Sequence, residues 1–166
     1  MLIRFRPDVL ALQPRVVVIL AGTNDLAGNT GPMTLAETEG NLASMAELAK
    51  ANGVRVVLSS VMPVSNYGST DMRIKRPPEK ILELHAWLKK YALENGHVYL
   101  DYFPAMVDDQ GLLKKELSGD GLHPNGSGYA IMGPWRRPRS IPHYLNERTL
   151  RHKYFRAGEW KGFIEA

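Results

Sequence analysis

Hydrophobic positions along this chain fall into two alternating rhythms. Val16, Val17, Val18, Ile19 and Leu20 form an unbroken apolar run. A run without alternation fits a strand covered on both faces, as in a parallel sheet. Val54, Val56, Val57 and Leu58 predict a second strand ending at Ser59 and Ser60, and Val98, Tyr99 and Leu100 a third with Asp101 at its end. Between these runs the spacing turns helical. Thr34 and Glu37 have capping-box separation. Leu35, Leu42, Met45 and Ala49 follow one stripe, and Asn52-Gly53 supplies the stop. Pro77-Pro78 opens another helix with Ile81, Leu84, Leu88 and Tyr91 inward, closed by Asn95-Gly96. Ahead of the first strand, Leu2, Phe5, Val9 and Leu12 lie near one face and predict a short helix over 2–12, ended by Pro14.

The remaining segments connect these elements. Residues 62–76, rich in Pro, Ser, Asn and Gly, predict a loop. Residues 102–118 predict a short helix and a turn, and residues 120–126 a further loop. A last helix starts at Ser127 and is cut short by Gly133, Pro134 and Pro138. Strands alternating with helices predict an α/β fold with a parallel sheet and crossover helices. His85, beside Trp87 on its helix, is read as partly exposed, and the pair Asp108-Asp109 as a turn rather than a calcium site.

Composition narrows the function classes. The 166 residues include no cysteine, which excludes a disulfide scaffold, a Cys-based zinc site and a thiol nucleophile. No apolar run approaches the roughly 18–20 residues that span a bilayer. Arg4, Arg6 and Asp8 interrupt any signal-peptide core. A soluble domain of unassigned compartment is the expectation. The net charge of +4 is unevenly placed: residues 136–166 hold eight Lys and Arg against three Asp and Glu. The chain therefore divides into an α/β domain at 1–135 and a basic tail at 136–166, where residues 146–156 have the pattern of one more helix. The tail is read as a solvated terminus, since no nucleic-acid motif accompanies its charge. An arm for nucleic acid or anionic membrane is the competing reading.

Two loops carry chemistry. Gly22-Thr23-Asn24-Asp25 follows the first strand, at the rim where open parallel sheets bind ligands. Gly22 lets the backbone turn beside a ligand. Asn24 can aim an uncharged N–H at a developing oxyanion. A plain strand-exit turn uses the same residues. In the second loop, Asp120 stands three residues before His123. A carboxylate so placed can hold the imidazole by its Nδ1–H, leaving Nε2 free as a general base. A surface turn with a solvated histidine is the competing reading.

Together, Gly-Thr-Asn-Asp after the VVVIL run and DGLHPN before the last helix resemble the SGNH, or GDSL-type, serine esterases and acylhydrolases. The resemblance covers roughly residues 1–133. It implies a three-layer α/β/α, flavodoxin-like parallel sheet and a Ser–Asp–His catalytic set. It implies that Asn24 serves the oxyanion hole with the Gly22–Thr23 loop, that Asp120 is the acid and His123 the base, and that a small ester or O-acetyl substrate is cleaved through an acyl-enzyme. No metal or organic cofactor is implied, and neither nucleic acid nor an integral membrane contact is an expected partner.

The sequence departs from that family in two respects: the segment from about Trp135 does not resemble the expected closing helix, and the nucleophile block is missing. The family's nucleophile lies in a Gly-Asp-Ser motif on a strand that, with the next strand, precedes the Gly-x-Asn-Asp strand. Here no Gly-Asp-Ser occurs and the first serine is Ser44. The chain thus looks like the family without its first two strands, its sheet reduced to about three strands unless another chain completes it. Ser59 and Ser60, at the second strand's end, are the candidate replacement nucleophiles, with Ser65 in the following loop and Ser127 four residues after His123 also considered; turn and cap residues are the competing reading of all four. The run from Val16 to Leu20, interior in the family's 2-1-3-4-5 strand order, becomes an edge. An apolar edge invites pairing, so a homo-oligomer formed there is expected. The competing function is a catalytically impaired fragment acting as an oligomeric binding or structural module.

Overall fold

The computed structural model describes residues 1–29 and 31–135. Three parallel strands form its sheet: β1 (Val16–Ile19), β2 (Arg55–Ser59) and β3 (Val98–Leu100), in the spatial order β1-β2-β3. Val17 lies opposite Val56 and Val57 opposite Val98, so each crossover returns the chain in the same direction. The strands are those the β-branched runs predicted.

Helices cover both faces. On one side lie α1 (Phe5–Asp8), α3 (Leu35–Ala51) and α5 (Pro78–Asn95), with α2 (Thr23–Leu26) at the end of β1. Phe5, Val17, Ile19, Leu42, Met45, Leu58, Leu84 and Leu88 form the core there. On the other side α6 (Phe103–Met106) and α7 (Gly126–Trp135) contribute Met106 and Met132 to a second cluster, with Val57, Leu100 and Tyr102. The result is the three-layer α/β/α arrangement. Val17 and Ile19 are buried, whereas Val16 and Val18 are only half-covered, so the second face of β1 is less complete than the apolar run predicted.

Local chemistry explains the long helices. The capping box of α3 is formed: Thr34 Oγ1 accepts the Glu37 N–H at 3.2 Å, and Glu37 Oε2 accepts the Thr34 N–H at 2.7 Å. Pro78 starts α5, where its missing N–H costs nothing, and Gly96 ends it in a left-handed conformation.

Three expectations are corrected. Residues 2–12 form no single helix but a 3-10 turn (Leu2–Arg4), α1, and a second 3-10 turn (Leu10–Leu12). Pro7 has no N–H to donate and its ring opposes a continuous helix through Ile3. Phe5 and Val9 are buried as predicted, but Leu12 is exposed. The segment 62–76 contains a helical turn, α4 (Met72–Lys75). The last helix begins at Gly126 rather than Ser127, and Asn125 Oδ1 caps it by accepting the N–H groups of Ser127 and Gly128. It passes through Gly133 and Pro134 to Trp135. A proline removes one intrahelical bond without obliging the helix to end at its own position. The tail at 136–166, with its predicted helix, lies outside the described residues. Among the described residues, no helix is long and apolar enough to cross a membrane.

Candidate active site

Parallel strands place every strand's carboxyl end on one rim, and both loops lie there. Asn24 sits five residues beyond the end of β1, in α2. The loop at 120–123 joins the same rim through the segment that follows β2, because the Ser65 N–H donates to the Gly121 carbonyl at 2.9 Å. Leu26 and Leu122, next to the two loops' polar residues, pack against the same core cluster as Val61 and Leu84.

Gly22 makes the first loop possible. Its φ is +117°, and a Cβ there would lie 2.8 Å from Leu84 Cδ2. The bend leaves Asn24 half-buried, and its Oδ1 accepts Asn29 Nδ2–H at 2.8 Å. Thr23 is held from 53 residues away: Arg76 Nε donates to the Thr23 carbonyl at 3.1 Å and to its Oγ1 at 3.2 Å. Arg76 is only 4% exposed. Burial lowers its pKa, and the nearest acidic influence is Asp71, which is itself hydrogen-bonded to Ser69 and paired with Lys75 at 2.6 Å.

The second loop is organised by Asp120. Its Oδ1 accepts the N–H groups of Leu122 at 2.9 Å and His123 at 2.8 Å, and the Ser118 hydroxyl at 3.1 Å. Its Oδ2 lies 2.6 Å from His123 Nδ1. The hydrogen bond from the His123 ring, helped by these backbone N–H groups and the Ser118 hydroxyl, holds the Asp120 carboxyl far below the usual carboxylate range. An ionised carboxylate accepts only, so Nδ1 carries the proton and Nε2 presents its lone pair. The His123 side chain is 76% exposed, so that lone pair is accessible. Gly68 closes the loop from behind: a Cβ there would fall 1.8 Å from the Asp120 carbonyl oxygen.

Ser59 and Ser60, the candidate replacement nucleophiles, take the structural role that was their competing reading. Ser59 is 1% exposed and its Oγ donates to the Ser60 carbonyl. Ser60 is fully buried, and its Oγ accepts the N–H groups of Tyr102 and Phe103. Both serines tie the sheet end together and offer no hydroxyl to an incoming ester. Strand alternation does not separate them from rim residues in the sequence, because both come at the end of an apolar run. Ser65 is likewise buried, donating to the Leu113 carbonyl at 2.9 Å. Ser127 is exposed at the start of α7.

The sequence pattern of the GDSL-like lipase/acylhydrolase family matches residues 1–131. The chain belongs to that family. This GDSL-like chain is 30% identical over 119 residues to Esterase TesA of Pseudomonas aeruginosa, a match covering 71% of this chain and 52% of that protein. Its structure is similar to a GDSL-like lipase from Bacteroides thetaiotaomicron VPI-5482, with 45% identity and a TM-score of 0.75, over 81% of this chain and 65% of the other. It is also similar to an acylhydrolase candidate from Bacteroides fragilis NCTC 9343, with 41% identity and a TM-score of 0.78, over 90% and 69% of the respective chains. The GDSL-like chain thus spans about half the length of the curated relative it matches. Its family and relatives are those of carboxylic ester hydrolases.

Four supports of the site were not legible in the loops themselves. Arg76 sits in a segment that carries no motif, and its partner is set by tertiary contact, whereas Asn29 lies just past the Gly-Thr-Asn-Asp motif and bonds Asn24 within the same turn. Gly68 is the one glycine of the 62–76 segment, and nothing beside it marks the distant loop it backs onto. Ser118 had a local signal, since a hydroxyl two residues before a turn aspartate is a common side-chain acceptor for the turn's N–H groups; here it accepts the Gly121 N–H at 3.0 Å.

Proposed function

We propose that this chain carries the base and oxyanion components of an esterase that cleaves small acyl esters or O-acetyl groups by acyl transfer. The observation that carries the proposal is the 2.6 Å contact between Asp120 Oδ2 and His123 Nδ1, with the imidazole's other face open. His123 Nε2 takes the proton of the attacking hydroxyl as its oxygen bonds to the ester carbonyl. Asp120 steadies the imidazolium that results. The carbonyl oxygen becomes an oxyanion, and Asn24 donates an N–H to it. Collapse of the tetrahedral species breaks the bond to the alcohol oxygen, which leaves with the proton from His123. Water then repeats the sequence on the acyl intermediate. Ser59, Ser60 and Ser65 are committed elsewhere, so the attacking hydroxyl of the first half-reaction is assigned to none of them.

That commitment favours a second reading, in which the chain is catalytically impaired and works as an oligomeric binding or structural module. Among the described residues β1 pairs on one side only, with β2, which supports it. Turnover of p-nitrophenyl acetate separates the two. Under the esterase reading, His123→Ala abolishes the rate and Asn24→Ala lowers kcat by about 10²–10³-fold. Equal rates in wild type and both variants overturn it and leave the module.

A further inference from the structure

An asparagine side chain is nearly symmetric in shape and opposite in polarity at its two ends. Only its NH2 end can serve an oxyanion; its carbonyl end would repel one. Whatever fixes the rotation of Asn24 about its last torsion therefore decides whether it helps or hinders. Here the Asn24 carbonyl end is occupied. Asn29 Nδ2 donates to Asn24 Oδ1 at 2.8 Å. The Asn29 backbone is itself anchored to the same residue, its N–H donating to the Asn24 carbonyl at 3.1 Å. The turn between them is closed by the Gly28 N–H on the Asp25 carbonyl at 3.0 Å and by the Ala27 N–H on Thr23. Asn29 is thus a donor fixed by its backbone and aimed at the end of Asn24 that must face away from substrate.

We propose that Asn29 is a positioning residue that sets the polarity of the Asn24 amide, turning its NH2 end toward the oxyanion site. The inference rests on the esterase reading for its consequence in catalysis, but the polarity itself is independent of that reading.

The decisive variant is Asn29→Asp. It keeps the size and shape of the side chain and, once ionised, offers acceptors only. A carboxylate facing Asn24 Oδ1 is repulsive, so the Asn24 amide turns over, gives its NH2 to the introduced carboxylate and presents its carbonyl oxygen outward. Asn29→Ala only removes the bias. The ordering is therefore wild type, then Asn29→Ala, then Asn29→Asp. A purely structural role predicts the reverse order for the variants, since truncation removes more contact than an isosteric exchange.

The test uses the full chain labelled with nitrogen-15, with the side-chain amides of Asn24 and Asn29 assigned by NMR. In the wild type the hydrogen-bonded, downfield-shifted amide proton belongs to Asn29; in Asn29→Asp at pH 7 it belongs to Asn24. On p-nitrophenyl acetate, Asn29→Asp lowers kcat by about 10²–10³-fold, as for loss of an oxyanion donor, with KM and the melting temperature close to wild type. Asn29→Ala falls between. A bonded proton on Asn24 in the wild type overturns the proposal, as does an Asn29→Asp variant more active than Asn29→Ala. A wild type without turnover sinks the esterase reading alone, because the proton assignments still decide the role of Asn29.

Discussion

Replacing Asp120 by Asn separates the chemistry of the second loop from its architecture. The substituted amide keeps an oxygen at the Oδ1 position, so the N–H groups of Leu122 and His123 and the Ser118 hydroxyl, bound at 2.8–3.1 Å, retain their acceptor. What changes is the group facing His123 Nδ1: a donor NH2 takes the place of the carboxylate oxygen at 2.6 Å. The imidazole then offers Nδ1 as acceptor and moves its proton to Nε2, which removes the general base. Because Asp120 is about half exposed, the charge contributes about 0.2–1 kcal/mol to folding after solvent screening. The melting temperature should therefore fall by no more than about 4 °C. The rate should fall far more, toward the roughly 10⁴-fold loss that the wrong tautomer causes in serine protease triads. Nitrogen-15 shifts of the His123 ring read the tautomer directly, and p-nitrophenyl acetate turnover reads the rate. An Nε2–H tautomer already present in the wild type refutes the reasoning, as does a variant that keeps both tautomer and rate.

Two further predictions address the frame. His85 Nε2 donates to the Val61 carbonyl at 2.9 Å, and burial lowers the pKa of its ring below 6.5. The unfolded chain takes a proton that the folded one refuses, so this group's contribution is whole above about pH 6.5 and declines as pH drops through it, by at most about 1.4 kcal/mol per pH unit; His85→Gln should flatten thermal stability between pH 7 and 5, and parallel profiles would dismiss the idea. The edge of β1 that is unpaired among the described residues should pair with a second copy, giving concentration-dependent sedimentation that Val16→Lys shifts toward monomer; a sharp monomer with cooperative unfolding would count against it.

The sheet and the long helices were legible because their signals are local. Three β-branched runs, one capping box and the Pro78 and Gly96 boundaries act within a few residues, and each is realised. The helix predicted over 2–12 fails for a local reason too: Pro7 interrupts its apolar stripe. The sequence predicts a partly exposed His85, but the residue is buried and packs edge-on to Phe103 at 4.9 Å between ring centres. A histidine on an otherwise amphipathic helix does not announce whether a neighbouring element will cover it. Asn24, Asp120 and His123 were legible as motif residues, and they lie on one rim. The groups that hold them were not, since Arg76 reaches Thr23 across 53 positions and Gly68 touches a loop some fifty residues later.

Those supports share an origin, and this bears on how the two loops act together. The segment that follows β2 supplies Arg76 to the Thr23 carbonyl and hydroxyl, the Ser65 N–H to the Gly121 carbonyl, and Gly68 against the Asp120 backbone. Neither loop is joined to the other by a long helix or a strand pair; each leans on this one stretch. Its interior side is anchored by buried Val61 and Val64 and by Ser65 on the Leu113 carbonyl. A shift of that stretch would therefore move the amide of Asn24 and the imidazole of His123 relative to each other while leaving the sheet intact. The relative placement of the two loops is set by a segment that contributes no motif residue, which is why the composition of a connecting loop matters beside the two motifs.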